Sequence, residues 1–339
     1  MEARQVRRVG LIGVGKHGVR YARHIRDDMP DLELVAIARR DPDRAAAQAR
    51  ELGARPYTDY RELIERGGID AVIAAVPSAL NLDIVRCAAR AGLPVLLEKP
   101  AAPSLAAGRE LLATVQEHPM PVMVAQTLRY NAVVRALFSA RADVGALHSL
   151  TLTQRFERSV LGWIDDPEQA GGGIVLQTGV HAFDLMRLLS GLEPDSVTCQ
   201  TQMVHTRHTE DGFVATVRLG GGAALATVSC ARNAGARNGH IELSGERGTL
   251  IGDHVLNRAY KVVGTTMEVL PLTPAVPTVR EVLRDFIGAV RAGAPMPITL
   301  ADGLRAVAVV DACYASARSG QAVVVETVAD AADATHGAA

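Results

Sequence analysis

An apolar stretch, Arg8-Val9-Gly10-Leu11-Ile12, runs without a break into Gly13-Val14-Gly15-Lys16-His17-Gly18. This is G-x-G-x-x-G with a strand before it and a helical pattern after it that turns Val19, Ala22 and Ile25 inward. Glycines at such a turn let the backbone approach a pyrophosphate, which then rests on the N-terminus of the helix. The context predicts a dinucleotide site at Gly13, Gly15, Lys16, His17 and Gly18. For Lys16 two roles stay open, contact with a cofactor phosphate or a solvated loop position.

The pattern continues as alternating strands and helices. Short, continuously apolar strands are expected at Val9–Ile12, Leu34–Ala38, Ala71–Val76, Val95–Glu98 and Val122–Ala125, as when helices cover both faces of a sheet. Helical patterns lie between them at Lys16–Arg26, Pro42–Glu51, Tyr60–Arg66, Leu80–Ala91 and Leu105–Gln116. The reading is a Rossmann-type, doubly wound parallel sheet over residues 1–125. After about Ala146 strands follow one another without helices, at Leu147–Phe156, Val197–Val204, Phe213–Leu219, Ala223–Cys230 and His240–Ser244, with glycine turns at 220–222 and 245–248. Residues 126–327 are therefore expected to form an α+β substrate-binding and oligomerisation domain with an open, mostly antiparallel sheet, flanked by helices at Thr178–Leu189, Thr278–Arg291 and Ala301–Arg318. Residues 328–339 are expected to be a disordered tail.

At the end of the second strand an Asp or Glu would hold the ribose of NAD(H). The chain instead reads Ala38-Arg39-Arg40-Asp41-Pro42. Paired guanidinium donors suit a 2′-phosphate, so Arg39 and Arg40 favour NADP(H) over NAD(H). Asp41 would still reach a ribose if the strand ended one residue later.

The 339 residues carry 36 basic and 37 acidic side chains, a formal charge of −1. Nothing in that balance calls for nucleic acid or an anionic membrane. No signal-peptide pattern and no run long enough to span a bilayer is present, and the four cysteines are far apart, so a cytoplasmic protein with buried thiols and no metal site is expected. Only Lys16, Lys99 and Lys261 among the 36 basic residues are lysines. Where an Arg-rich chain keeps a Lys, Arg need not have served.

Four segments together resemble the Gfo/Idh/MocA oxidoreductases. Ala71–Ser78 ends a strand in the manner of V-x-T-P-N, Glu98-Lys99-Pro100 is similar to a Glu-Lys-Pro signature, Gln126–Asn131 is similar to the domain-crossing segment, and Gly171–Asp184 resembles G-G-G-x-x-x-D-x-G-x-H-x-x-D. The resemblance implies hydride transfer between a nicotinamide and a sugar, cyclic polyol or similar small molecule, in a homodimer or homotetramer joined through the second-domain sheet. It implies cofactor contacts from Pro77, Ser78, Glu98, Lys99 and Gln126, and a proline after Lys99 that is often cis. Substrate contacts are expected from Lys99, Arg129, Tyr130, Trp163, Gln177 and His181, with domain packing as the other reading for Arg129 and Tyr130 and a core or interface position as the other reading for Trp163.

A carbinol loses its hydroxyl proton as the hydride leaves, so the site needs a base. His181, titrating near neutrality, fits that role, and Lys99 fits the stabilisation of charge on the substrate oxygen. Gln177 departs from the pattern, which has Asp there. It bears no charge and would leave His181 easier to deprotonate. Asp184 either substitutes for that acid or pairs with Arg187 three residues on. Asn81 is a second departure, where a His is common. Other functions stay open at this stage: reduction of a non-sugar carbonyl or imine, a glycosidase using its nicotinamide transiently, and a non-catalytic cofactor-binding protein.

Overall fold

The computed structural model describes residues 3–329, so the expected tail lies outside it from residue 330 on. Val328, assigned to that tail, is buried, and its carbonyl accepts from Arg305 Nε at 3.1 Å.

The first compact unit is an α/β sandwich. Its elements are β1 (Arg8–Ile12), α1 (Lys16–Asp28), β2 (Glu33–Ala38), α2 (Pro42–Leu52), β3 (Arg55–Tyr57), α3 (Tyr60–Arg66), β4 (Ala71–Ala74), α4 (Asn81–Arg90), β5 (Val95–Glu98), α5 (Leu105–Glu117) and β6 (Val122–Ala125). The strands pair in parallel in the order β3-β2-β1-β4-β5-β6. The chain order reverses between β1 and β4, and in open α/β sheets ligands bind at the carboxyl ends of the strands at such a switch point. Every residue of β4, β5 and β6 is buried, which is why these strands read as unbroken apolar runs. The sequence reading missed β3. It is three residues long, mostly exposed, and carries Pro56, which an edge strand tolerates.

The second unit begins with α6 (Ala132–Ala140) and β7 (Leu147–Glu157). There follow α7 (Pro167–Ala170), α8 (Val180–Ser190), β8 (Pro194–Gln202), β9 (Gly212–Leu219), β10 (Ala224–Ala234), β11 (Asn238–Gly245), β12 (Gly248–Asp253), β13 (Arg258–Val263) and β14 (Thr266–Val269). After α9 (Thr278–Ala292) and α10 (Leu300–Ser319), β15 (Val323–Val324) closes the sheet in the order β14-β13-β12-β11-β7-β10-β9-β8-β15. Only β7 and β10 pair in parallel among the described strands of this sheet. Strand β9 alternates strictly from Phe213 on. Phe213, Ala215, Val217 and Leu219 are buried while Val214, Thr216 and Arg218 face outward. The inner face packs on α8, with the Phe183 and Phe213 rings 5.9 Å apart.

The two units do not divide the chain linearly. Residues 277–304 cluster with the first, which otherwise ends at Gln126, and 305–328 return to the second. The return of α9 is explained by its contacts with the N-terminal strand region: the Arg4 amide donates to Val290 O at 3.3 Å, and Arg291 donates to Val6 O and Asp31. All four cysteines are free and buried. No helix among the described residues is long and apolar enough to cross a membrane.

Candidate active site

The glycine loop lies at the switch point. Gly13 adopts φ +87°, and a Cβ there would stand 2.4 Å from Ala75 O. A Cβ on Gly18 would stand 1.9 Å from Gly13 O, so helix α1 can only close on the loop as glycine. Gly15 differs, since a Cβ at that position would have no atom within 4 Å. It is the N-cap of α1, no side chain caps that helix, and its first turn holds no acidic residue. Open space in front of uncapped amides fits a dinucleotide pyrophosphate.

Arg39 Nη1 donates to Val14 O at 3.1 Å and to Gln48 Oε1 at 2.8 Å, which lays the side chain against the glycine loop. Arg40 is exposed. Strand β2 ends at Ala38, and Asp41 instead caps α2, accepting from the Arg44 amide at 3.0 Å.

At the end of β5, the Glu98 carboxylate is buried. Tyr21 Oη donates to its Oε1 at 2.8 Å, and the Lys99 amide donates to Oε2 at 3.1 Å. Tyr21 is fully buried, and burial beside Glu98 raises its pKa well above the ordinary phenol value. The Lys99–Pro100 peptide bond is cis. His17 is an exposed neighbour of this group. Partial desolvation draws its pKa below the ordinary value, opposed by Glu98 and reinforced by Lys99, Arg20 and Lys16. Asn81 is buried, and its Nδ2 donates to Ala101 O at 3.0 Å and Pro100 O at 3.4 Å. It thus ties α4 to the loop that follows Lys99. Pro77 and Ser78 begin the single 3₁₀ turn that leads from β4 into α4, and Gln126 is buried after β6.

In the second unit, Gly171-Gly172-Gly173 leads into a π-helical turn, Val175–Gly179, continuous with α8. Such turns are frequent at functional sites. A Cβ on Gly173 would stand 2.3 Å from the Glu210 carbonyl oxygen, so only glycine lets the two segments touch. Glu210 Oε1 accepts from the Val175 amide at 3.0 Å and from Tyr314 Oη at 2.8 Å, while Tyr314 Oη accepts from the Gly173 amide at 3.2 Å. Gln177 Nε2 donates to Gly172 O at 2.9 Å, and its Oε1 accepts from Arg232 Nη2 at 2.8 Å. His181 follows four residues later on α8, half-buried.

Two ion pairs anchor the helix that carries His181. Asp184 is held by Arg129, whose Nε and Nη2 donate to its two oxygens at 2.8 and 2.6 Å. Arg187 pairs with Glu193. Asp184 is 1% exposed and faces the segment 127–130, whereas Arg187 reaches the loop before β8. Arg129 is engaged by Asp184 in this geometry, and Tyr130 is buried with Arg135 over its ring. Trp163 sits in a 3₁₀ turn, 47% exposed. Lys261, for which the sequence suggested no role, pairs with Asp143 at 2.8 Å. Glu210, Arg232, Tyr314 and Tyr21 were missed, because each acts on a segment far away in the chain.

Comparison with known proteins bears on this arrangement directly. Residues 7–126 match an oxidoreductase family with an NAD-binding Rossmann fold, and residues 143–326 match the C-terminal α/β domain of the same family. The chain belongs to the Gfo/Idh/MocA oxidoreductases. Among curated relatives of this family, the chain is 28% identical over 313 residues to 1,5-anhydro-D-fructose reductase of Ensifer adhaerens, covering 87% of this chain and 92% of that protein. It is 27% identical over 330 residues to inositol 2-dehydrogenase of Rhizobium meliloti (strain 1021), covering 91% and 96%. A solved levoglucosan dehydrogenase, in complex with NADH and L-sorbose, superposes with a TM-score of 0.87 over 96% of this chain and 100% of that one, at 22% identity. This member of the family is a dehydrogenase or reductase with a Rossmann nucleotide-binding domain.

Proposed function

We propose that this Gfo/Idh/MocA oxidoreductase uses NADP(H) and transfers a hydride to or from a carbinol or carbonyl carbon of a sugar-like or cyclic polyol substrate. The observation that carries the cofactor preference is at the end of β2: Arg39 lies against Val14 of the glycine loop while Asp41 is spent on capping α2. A guanidinium there suits a 2′-phosphate, and no acid is left in place to receive a bare ribose diol. The substrate class is supported by the relatives, named as reductases and dehydrogenases of anhydrofructose and inositol.

The nicotinamide supplies a hydride acceptor or donor. In the oxidative direction the substrate carbon gives up its C–H bond pair as hydride, its hydroxyl gives up a proton, and a C=O bond forms. His181 takes that proton, and in reduction returns it. Lys99 donates to the same oxygen and stabilises the negative charge that develops on it. The Tyr21–Glu98–Lys99 amide chain fixes the backbone from which Lys99 projects. Subunits associate as a homodimer or homotetramer through the outer face of the second-unit sheet, where Val214 and Leu225 are half-exposed. Light scattering at micromolar concentration tests this, a monomer being the refuting result.

The functional test is a screen of aldoses, inososes and cyclic polyols against both nucleotides, followed by Lys99→Ala and His181→Ala. Loss of turnover by about 10²-fold or more in each variant supports the assignment. Turnover at the wild-type rate in either variant overturns its role. Substrate cleavage without net change in NADPH points to glycosidase chemistry, and binding without turnover to a sensor.

A further inference from the structure

Arg232, on β10, stands beside the proposed substrate residues in an unusual state. It is half-buried, and burial draws the guanidinium pKa down, partly offset by the Glu210 and Asp211 carboxylates. Yet its one side-chain hydrogen bond among the described residues is Nη2 to the neutral amide oxygen of Gln177, at 2.8 Å. Neither nearby carboxylate bonds to it. Glu210 is occupied by Tyr314 and the Val175 amide. Asp211 accepts from the Val204 and His205 amides at 2.9 and 2.7 Å, and from Asn233. A guanidinium carries five donors and is charged throughout the physiological range. Taking it from water without a counter-charge is costly, and an anion delivered by a ligand would offset that cost.

We propose that Arg232, oriented by Gln177, receives a carboxylate of the substrate, so that the substrate is a polyhydroxy acid or its oxo form rather than a neutral sugar. This rests on the reading that Gln177 and His181 face substrate. Four helical residues advance about 6 Å, which places a carboxylate at Arg232 and a reacting carbinol at His181 within one small molecule. Aldonic and uronic acids have that span. A carboxylate matches the guanidinium fork in shape. A phosphate dianion would meet the fields of Glu210 and Asp211 with twice the charge, so the surroundings favour the monoanion. Gln177 is integral to this selectivity. An Asp there would itself pair with Arg232 and fill the position that the ligand carboxylate takes.

Two measurements test the proposal. Calorimetric titration of the NADPH-loaded enzyme with D-gluconate, D-glucuronate, D-glucose and D-glucose 6-phosphate, with NADPH absorbance followed in parallel so that any reduction of an aldehyde is counted separately, reads binding apart from turnover. kcat/KM for acid and neutral substrates reads discrimination. The acids bind wild type more tightly than glucose or the phosphate ester. Arg232→Gln weakens acid binding and lowers the acid-to-neutral ratio of kcat/KM by about 30-fold or more. Arg232→Lys, which keeps the charge and loses the fork, loses about 10-fold. Gln177→Asp, which neutralises Arg232 in place, reproduces the loss, and this holds the test open should Arg232→Gln fail to fold. Equal ratios in wild type, Arg232→Gln and Gln177→Asp overturn the proposal, as does tighter binding of glucose or of the phosphate ester. If Lys99→Ala and His181→Ala abolish turnover while those ratios stay equal, the oxidoreductase assignment stands and the acid specificity alone falls.

Discussion

Arg129 grips Asp184 with two parallel hydrogen bonds, at 2.8 and 2.6 Å, and the carboxylate is 1% exposed. This pair ties the segment after β6 to the helix that carries His181. Removing one partner of a buried ion pair leaves the other charge stranded, at a cost of about 3–5 kcal/mol. Asp184→Asn and Arg129→Met should each lower the urea midpoint strongly. Glu193→Gln, which alters a pair whose carboxylate is 62% exposed although Arg187 is only 8% exposed, should lower the midpoint less than either. Equal effects from the two pairs would show that burial does not set their strengths.

Gly15→Ala separates folding from cofactor binding. The new Cβ meets no protein atom within 4 Å, and the position is an N-cap with φ −84°, so stability should change by under about 1 kcal/mol. The methyl group fills the space assigned to pyrophosphate, so NADPH affinity by fluorescence titration should fall about 10-fold or more. Gly18→Ala should instead damage the fold, because its Cβ would stand 1.9 Å from Gly13 O. Unchanged NADPH binding in Gly15→Ala would move the pyrophosphate elsewhere.

Arg39→Ala removes the donor group at the end of β2. A hydrogen bond to a charged group is worth about 1.5–3 kcal/mol, so NADPH affinity should fall about 10- to 100-fold. NADH affinity should change far less. If both fall together, Arg39 only buttresses Val14 O, to which it donates at 3.1 Å.

Asp165 gives a pH prediction. Its oxygens accept from the amides of Arg207, His208 and Thr209, and these bonds, foremost that from His208, hold its pKa at about 2 against an ordinary 3.8. The folded value is the lower one, so the stabilisation is fully present above about pH 4. It is lost as pH falls through about 2. Protection of the 207–209 amides, taken relative to the intrinsic exchange rate at each pH, should be high at pH 5 and fall as the pH approaches 2. In Asp165→Asn it should already be low at pH 5. Protection that ignores both the acid and the substitution would show that other contacts hold this loop.

The strands that read most clearly in the sequence were those buried on both faces. β4, β5 and β6 are apolar at nearly every position because helices cover both sides of the sheet, and the expected positions agree with the observed ones to within about two residues. β12, β13 and β14 were missed. They have one wet face or none buried, and their composition alone does not separate them from loop. Helical spacing places Asp184 and Arg187 on one face of the helix but says nothing of Arg129, 55 positions away in the chain from Asp184.

Local order therefore determined a great deal here: the glycine loop and its helix, the alternation that makes the first sheet parallel, the Glu-Lys-Pro strand end, and the glycine approach to His181. Each depends on neighbours within a few residues, and backbone sterics and hydrophobic periodicity write such features into the chain directly. Tertiary structure alone decided which charges are compensated. Asp41 became a helix cap, Asp184 found Arg129, Glu210 found Tyr314 and the Val175 amide, and Arg232 was left beside a neutral glutamine. An ion pair depends on distance and desolvation in space, and neither quantity is fixed until β10, α8 and α10 have packed.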